Sequence, residues 1–158
     1  MRAFGHGRRA TDCNALGDWF EVLYGSELGR PDGSGGRMNA EFNSPSLLKT
    51  LESWSLPAFD DLAFGLIVMN RSGDVTGYNT FESERAGIPK ERVLGLNFFE
   101  AVGPCTNNYL IAQRFFDEPD LDDFLDYTFT LRMAPTPVRL RIMALANSAR
   151  QYLAVTAR

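Results

Sequence analysis

One histidine and two cysteines in 158 residues are a small supply of reactive side chains, and the shortage excludes several chemistries at once. A cysteine hydrolase needs an imidazole base beside its thiol, and the lone His6 stands in a glycine-rich leader. A transition-metal site lacks enough nitrogen and sulfur ligands. Cys13 and Cys105 do not make a disulfide framework. Basic residues are also in deficit. The net charge of -4 and pI near 5.0 argue against nucleic acid as a partner, which would call for a basic face. No apolar run approaches the roughly 18 residues of a membrane-spanning helix. Arg8-Arg9 is not followed by the apolar stretch of an export signal. Gly33-Ser34-Gly35-Gly36 lacks the Lys-Ser/Thr of a phosphate loop, and the acidic run 117–123 lacks calcium-loop spacing and reads as a solvated loop. A cytoplasmic protein without membrane insertion is expected.

A hydrophobic fraction of 44% with 12% aromatics is enough for a core. Eight of the 14 glycines precede residue 38, ending in Gly29-Arg30-Pro31-Asp32-Gly33-Ser34-Gly35-Gly36-Arg37. Such a chain cannot bury enough apolar surface to offset its ordering entropy, so residues 1–37 read as a flexible extension. Within it, Cys13–Tyr24 could form a short amphipathic helix, and Met38 could be an alternative translation start. Residues 38–61 form an N-terminal cap and 62–158 the main domain.

In the cap, Ser44-Pro45 followed by Leu47, Leu48 and Leu51 at helical spacing predicts a helix over 44–54. Leu62–Asn70, the turn Arg71-Ser72-Gly73-Asp74 and Val75–Tyr78 predict a hairpin. Residues 79–117 read as short helices broken at Gly87, Pro89, Gly95 and Pro104. The longest, Asn107–Phe116, offers Tyr109, Leu110, Ala112 and Phe116 for burial. Strands are expected over Phe124–Met133, Val138–Leu145 and Gln151–Thr156, with turns at 134–137 and 147–149. The fold class is α+β, a five-stranded antiparallel sheet with short helices on one face and an N-terminal helical cap. Arg139 and Arg141 fall on the water-facing side of their strand.

Three residues carry the candidate chemistry. Cys105 precedes the expected helix, with Thr106 as its N-cap, and a helix N-terminus favours a thiolate. Local pattern alone leaves two readings open, an inert buried thiol and a nucleophile for an activated acyl donor. Tyr78 and Glu82 are each ambiguous, as core rim or exposed helix. If both turn inward, a phenol and a protonated carboxyl would be two donors converging on one acceptor.

Gly77-Tyr78-Asn79, Glu82, Val93-Leu94-Gly95-Leu96-Asn97-Phe98-Phe99 and Val102-Gly103-Pro104-Cys105-Thr106 resemble the photoactive yellow protein family, blue-light receptors with a PAS fold. The resemblance resumes at Tyr127-Thr128-Phe129 and Met133-Ala134-Pro135-Thr136 and covers roughly residues 38–158. It implies p-coumaric acid held as a thioester on Cys105, with Tyr78 and Glu82 hydrogen-bonded to its buried phenolate. Phe98, Val102, Gly103, Pro104, Thr106 and Phe129 would line the pocket, with Met133 near the chromophore. It further implies trans-to-cis photoisomerisation, proton transfer from Glu82, partial unfolding of the cap and thermal return. The chain would then be a receptor rather than an enzyme, a monomer or weak dimer that signals to a downstream protein its residues do not specify.

Three positions depart from the family pattern. Ala86 stands where a threonine supports the tyrosine hydroxyl, Ile88 where an arginine shields the pocket, and Leu131 where a tyrosine is frequent. The runner-up reading is a PAS domain that binds a small ligand noncovalently or mediates dimerisation.

Overall fold

The computed structural model describes residues 40–131 and 134–158, without the side chain of Leu131. The proposed extension, its short helix and linker, and Met133 lie outside the described residues. The first hairpin forms where expected. Strands β1 (Gly65–Met69) and β2 (Val75–Tyr78) pair antiparallel with a bulge at Val68/Met69. The Asn70 carboxamide closes the turn by accepting from the Ser72 and Asp74 amides at 2.9 and 3.0 Å. Gly73 takes a φ of 88°, the left-handed region that glycine enters without steric cost.

Strands β3 (Leu121–Leu131), β4 (Ala134–Ala144) and β5 (Gln151–Ala157) complete one antiparallel sheet in the order β2-β1-β5-β4-β3. The expected turn at 134–137 is instead strand, since β3 and β4 stay in register from Leu121↔Ala144 to Leu131↔Ala134. Pro135 and Pro137 are tolerated there because β4 pairs with β5 only from Val138 onward, leaving their nitrogens on an open flank. Strand β3 also starts three residues early and takes in part of the acidic run. Those carboxylates are not merely solvated. Asp122 pairs with Arg141 at 2.7 Å, Asp123 with Arg114 at 2.8 Å, and Asp120 accepts from the Ala146 amide.

Strand alternation gives the sheet two buried faces. Ile67, Met69, Leu140, Ile142, Leu153 and Val155 face one core, under helices α2 (Thr80–Ala86), α3 (Lys90–Val93) and α4 (Ala112–Asp117). Leu66, Val68, Met143, Tyr152 and Ala154 face the other, covered by the N-terminal segment. In that segment α1 spans Leu47–Ser53, two residues beyond the expected Ser44-Pro45 start, and a 3-10 turn follows at Leu56–Asp61. Leu47, Leu48 and Leu51 are buried, each worth about 1.5–3 kcal/mol when removed from water.

Arg141 corrects the sequence expectation. It is only 2% exposed rather than water-facing. Its guanidinium grips Asp122 in bidentate fashion and donates to the Phe42 and Ser44 carbonyls at 2.8 and 2.7 Å. The Phe124 ring lies 4.8 Å away. A strand position that looked solvated is the pin that fastens the cap to the sheet.

The expected helix over 107–116 shortens to α4. The Asn108 side chain bonds the Cys105 carbonyl, the Tyr127 hydroxyl and the Leu110 amide, which competes with helix formation. Ile111, Ala112 and Phe115 are buried, whereas Tyr109, Leu110 and Phe116 are exposed. Among the described residues no helix is long and apolar enough to cross a membrane.

Candidate ligand pocket

The Tyr78–Glu82 segment is set by Asn79, which caps α2. Its Oδ1 accepts from the Glu82 amide at 3.0 Å and the Leu66 amide at 2.9 Å. Its Nδ2 donates to the Phe59 and Phe64 carbonyls. One buried side chain thus ties β1, the 3-10 turn and α2 together, with its polar capacity used. Helix α2 then presents Glu82 and Ala86 to the core before Gly87 ends it at a φ of 70°.

Tyr78, Glu82, Ala86, Ile88, Phe98, Val102, Gly103 and Phe129 meet around one cavity of about 30 Å³, closed further by Ile67 and Arg85. Tyr78 and Glu82, ambiguous in sequence, both turn inward. Glu82 is 3% exposed and packs where a side chain on Gly65 would stand, since a Cβ there would lie 2.0 Å from Glu82 Oε2. Gly103 lets Phe98 approach in the same way; an added Cβ would meet the ring at 2.8 Å.

Arg85 is the residue that sequence reasoning missed. Its Nε donates to Glu82 Oε2 at 2.8 Å and its Nη2 to Glu82 Oε1, and its Cζ stands 5.6 Å from the Phe129 ring centre. Nη1 is buried with no acceptor among the described residues. Ile88, where the resemblance implies an arginine, lines the cavity as an apolar residue, and a guanidinium reaches the same cavity from one turn earlier. Spacing held the signal, because Glu82 and Arg85 stand three residues apart on one helix.

Electrostatics follow from this burial. Desolvation holds the Tyr78 hydroxyl well above its ordinary pKa of 10.0, the Glu82 charge adds to the rise, and Arg85 opposes it. Tyr78 is therefore a hydrogen-bond donor at neutral pH. Burial would lower the Arg85 pKa, yet the Glu82 charge and hydrogen bonds outweigh it and raise it. The sequence expectation of a protonated Glu82 differs from this arrangement, in which both carboxyl oxygens accept from Arg85, the geometry of a carboxylate.

Cys105 lies two residues beyond the cavity-lining Gly103, in the short 3-10 turn Pro104–Thr106, and is 3% exposed. Its carbonyl accepts from Tyr127 Oη at 2.6 Å and Asn108 Nδ2 at 2.8 Å. The expected helix N-terminus beside it is absent, and Thr106 donates to the Gly103 carbonyl instead of capping a helix. Its sulfur is disulfide-bonded, whereas the sequence pointed to no disulfide framework. Cys105 and Thr106 are buried and Pro104 half-buried, next in sequence to the cavity-lining Val102 and Gly103 but not in the cavity wall itself.

No family model matches the chain. It is 36% identical over 86 residues to photoactive yellow protein of Rhodothalassium salexigens, an overlap of 52% of this chain and 69% of that protein. It is 34% identical over 104 residues to the Halochromatium salexigens photoactive yellow protein, covering 64% of this chain and 83% of that one. The chain belongs to the photoactive yellow protein family. Among solved structures, the photoactive yellow protein domain of the sensor histidine kinase Ppr from Rhodospirillum centenum matches with a TM-score of 0.62 and 35% identity, over 68% of this chain and 97% of that domain. The sheet and its helices are thus those of a PAS photosensor domain, as the sequence motifs implied.

Proposed function

We propose that this photoactive yellow protein relative is a blue-light photoreceptor carrying p-coumaric acid as a thioester on Cys105. The observation that carries the reading is the convergence of Tyr78 and Glu82 with Phe98, Val102, Gly103 and Phe129 on one buried cavity two residues from Cys105. The donor set fits an ionisable phenol, since Tyr78 is a protonated donor and Arg85 has a buried N–H without an acceptor. The cavity is small for an aromatic acid, so its wall must spread on loading. When bound, the p-coumaroyl group supplies visible absorption, trans-to-cis isomerisation and a titratable phenol.

The chain's own residues would do the rest. The Cys105 sulfur, released from its disulfide by a thiol reductant that is itself oxidised, would lose its proton and displace the activating group from an acyl donor, forming the thioester. Tyr78 Oη donates to the buried phenolate, and Glu82 passes it a proton after illumination. The negative charge then moves from the phenolate to Glu82, and that relocation loosens the cap, whose grip includes the Arg141 bonds to the Phe42 and Ser44 carbonyls. By likeness to the kinase-linked domain, a separate cytoplasmic signalling protein would read the released cap.

Reduced apoprotein given activated p-coumarate should gain one acyl mass and visible colour that survive denaturation, and Cys105→Ala should gain neither. Colour that binds but washes out on denaturation, in both proteins, would replace this reading with noncovalent ligand sensing. The position of Cys105 outside the cavity wall is the observation on that side.

A further inference from the structure

We infer that Arg85 is the anion-holding residue of this pocket and carries one negative charge at a time, that of Glu82 in the unloaded protein and that of the ligand phenolate after loading. The inference rests on the proposed p-coumaroyl site and adds to it a residue and a coupling. Three observations converge. The guanidinium is fixed in the cavity wall by both Glu82 oxygens. Its Nη1–H is buried and has no acceptor among the described residues, a donor whose desolvation is uncompensated until an acceptor arrives. The position that would otherwise supply a cation is Ile88, an apolar residue lining the same cavity.

Charge balance gives the consequence. The cavity wall presents one cation and one acid, Glu82, while Tyr78 stays protonated. A ligand phenol adds a second acid. One guanidinium neutralises one anion, so in a desolvated pocket one of the two acids keeps a proton. If the phenolate takes Arg85, Glu82 gains the proton, and no net charge is buried. That proton is the one Glu82 can return after isomerisation. The carboxylate paired with Arg85 and a proton-donating Glu82 are then successive states of one site.

The test compares wild type, Arg85→Met, Arg85→Gln and Arg85→Lys, each first loaded and checked by mass. Absorbance of the loaded proteins is then titrated with pH. An opposite charge at this range moves a titration by about 1–3 units, so Arg85→Met and Arg85→Gln should raise the phenol midpoint by that amount. Arg85→Lys should recover most of the difference. In the unloaded wild type, infrared difference against Glu82→Gln should show no protonated-carboxyl band at neutral pH, and the band should appear on loading. Midpoints of loaded Met and Gln variants within about 0.3 unit of wild type, or a protonated Glu82 in the unloaded protein, would overturn the inference and leave the thioester intact. Failure of wild type to load would instead overturn the underlying reading.

Discussion

Asn79 and Gly65 show how single residues hold this site. The Asn79 carboxamide makes four buried hydrogen bonds, and only a carboxamide, which glutamine would carry one methylene further out, offers two donors and an acceptor in one plane. Asn79→Ala should therefore cost more than a simple helix cap, about 2 kcal/mol or above in urea unfolding, because buried amides and carbonyls lose their partners. Asn79→Asp keeps the acceptor but loses both donors, and should recover only part of the loss. Gly65→Ala sets a methyl 2.0 Å from Glu82 Oε2. Glu82 must then leave its seat, with about 1–3 kcal/mol of overpacking. The expected signature is reduced stability together with a displaced phenol titration in loaded protein. A Gly65→Ala protein with wild-type stability and spectrum would show that Glu82 has room the structure does not give it.

At the scale of elements, the cap is fastened by charge as well as by its leucines. Arg141→Met leaves Asp122 and two cap carbonyls without their donor. Asp122 is one-third open to water, so the loss belongs at the lower end of broken buried pairs, about 3 kcal/mol. Hydrogen exchange should quicken around residues 42–48 before the sheet is affected; equal protection in both proteins would remove Arg141 from the latch. Asp60 pins the other end of the cap, accepting from the Thr80 amide and hydroxyl at 2.7 and 2.9 Å and from Lys90. Burial alone would raise its pKa, but these donors lower it below the ordinary 3.8. A depressed folded value means the stabilisation is present above pH 3.8 and is lost as pH falls through the lower folded value. Acid should therefore loosen the 3-10 turn in wild type, and Asp60→Asn should flatten that pH dependence.

For the whole molecule, the described core from residue 40 closes on itself, with both sheet faces covered. Protein truncated to 38–158 should load and cycle under light like the full chain, by mass and flash kinetics; failed loading would place residues 1–37 in the working domain. The hairpin, the short helices and β5 were legible in sequence because turn residues and apolar periodicity are local. So was the family, since Asn97-Phe98-Phe99 and Pro104-Cys105-Thr106 are contiguous motifs. The burial of Arg141 was not, because its strand alternates as a solvated face would. Only the arrival of Phe42 and Ser44 from a hundred residues away covers it. Nor was the helix beside Cys105, which Asn108 forestalls by bonding to Tyr127 on a distant strand. Arg85 lay in plain view at helical spacing from Glu82, yet a sequence assigns no partner to a charge. Local pattern determined the elements and the family, and tertiary packing decided which charges lie inside, because burial and pairing are properties of segments brought together from far apart.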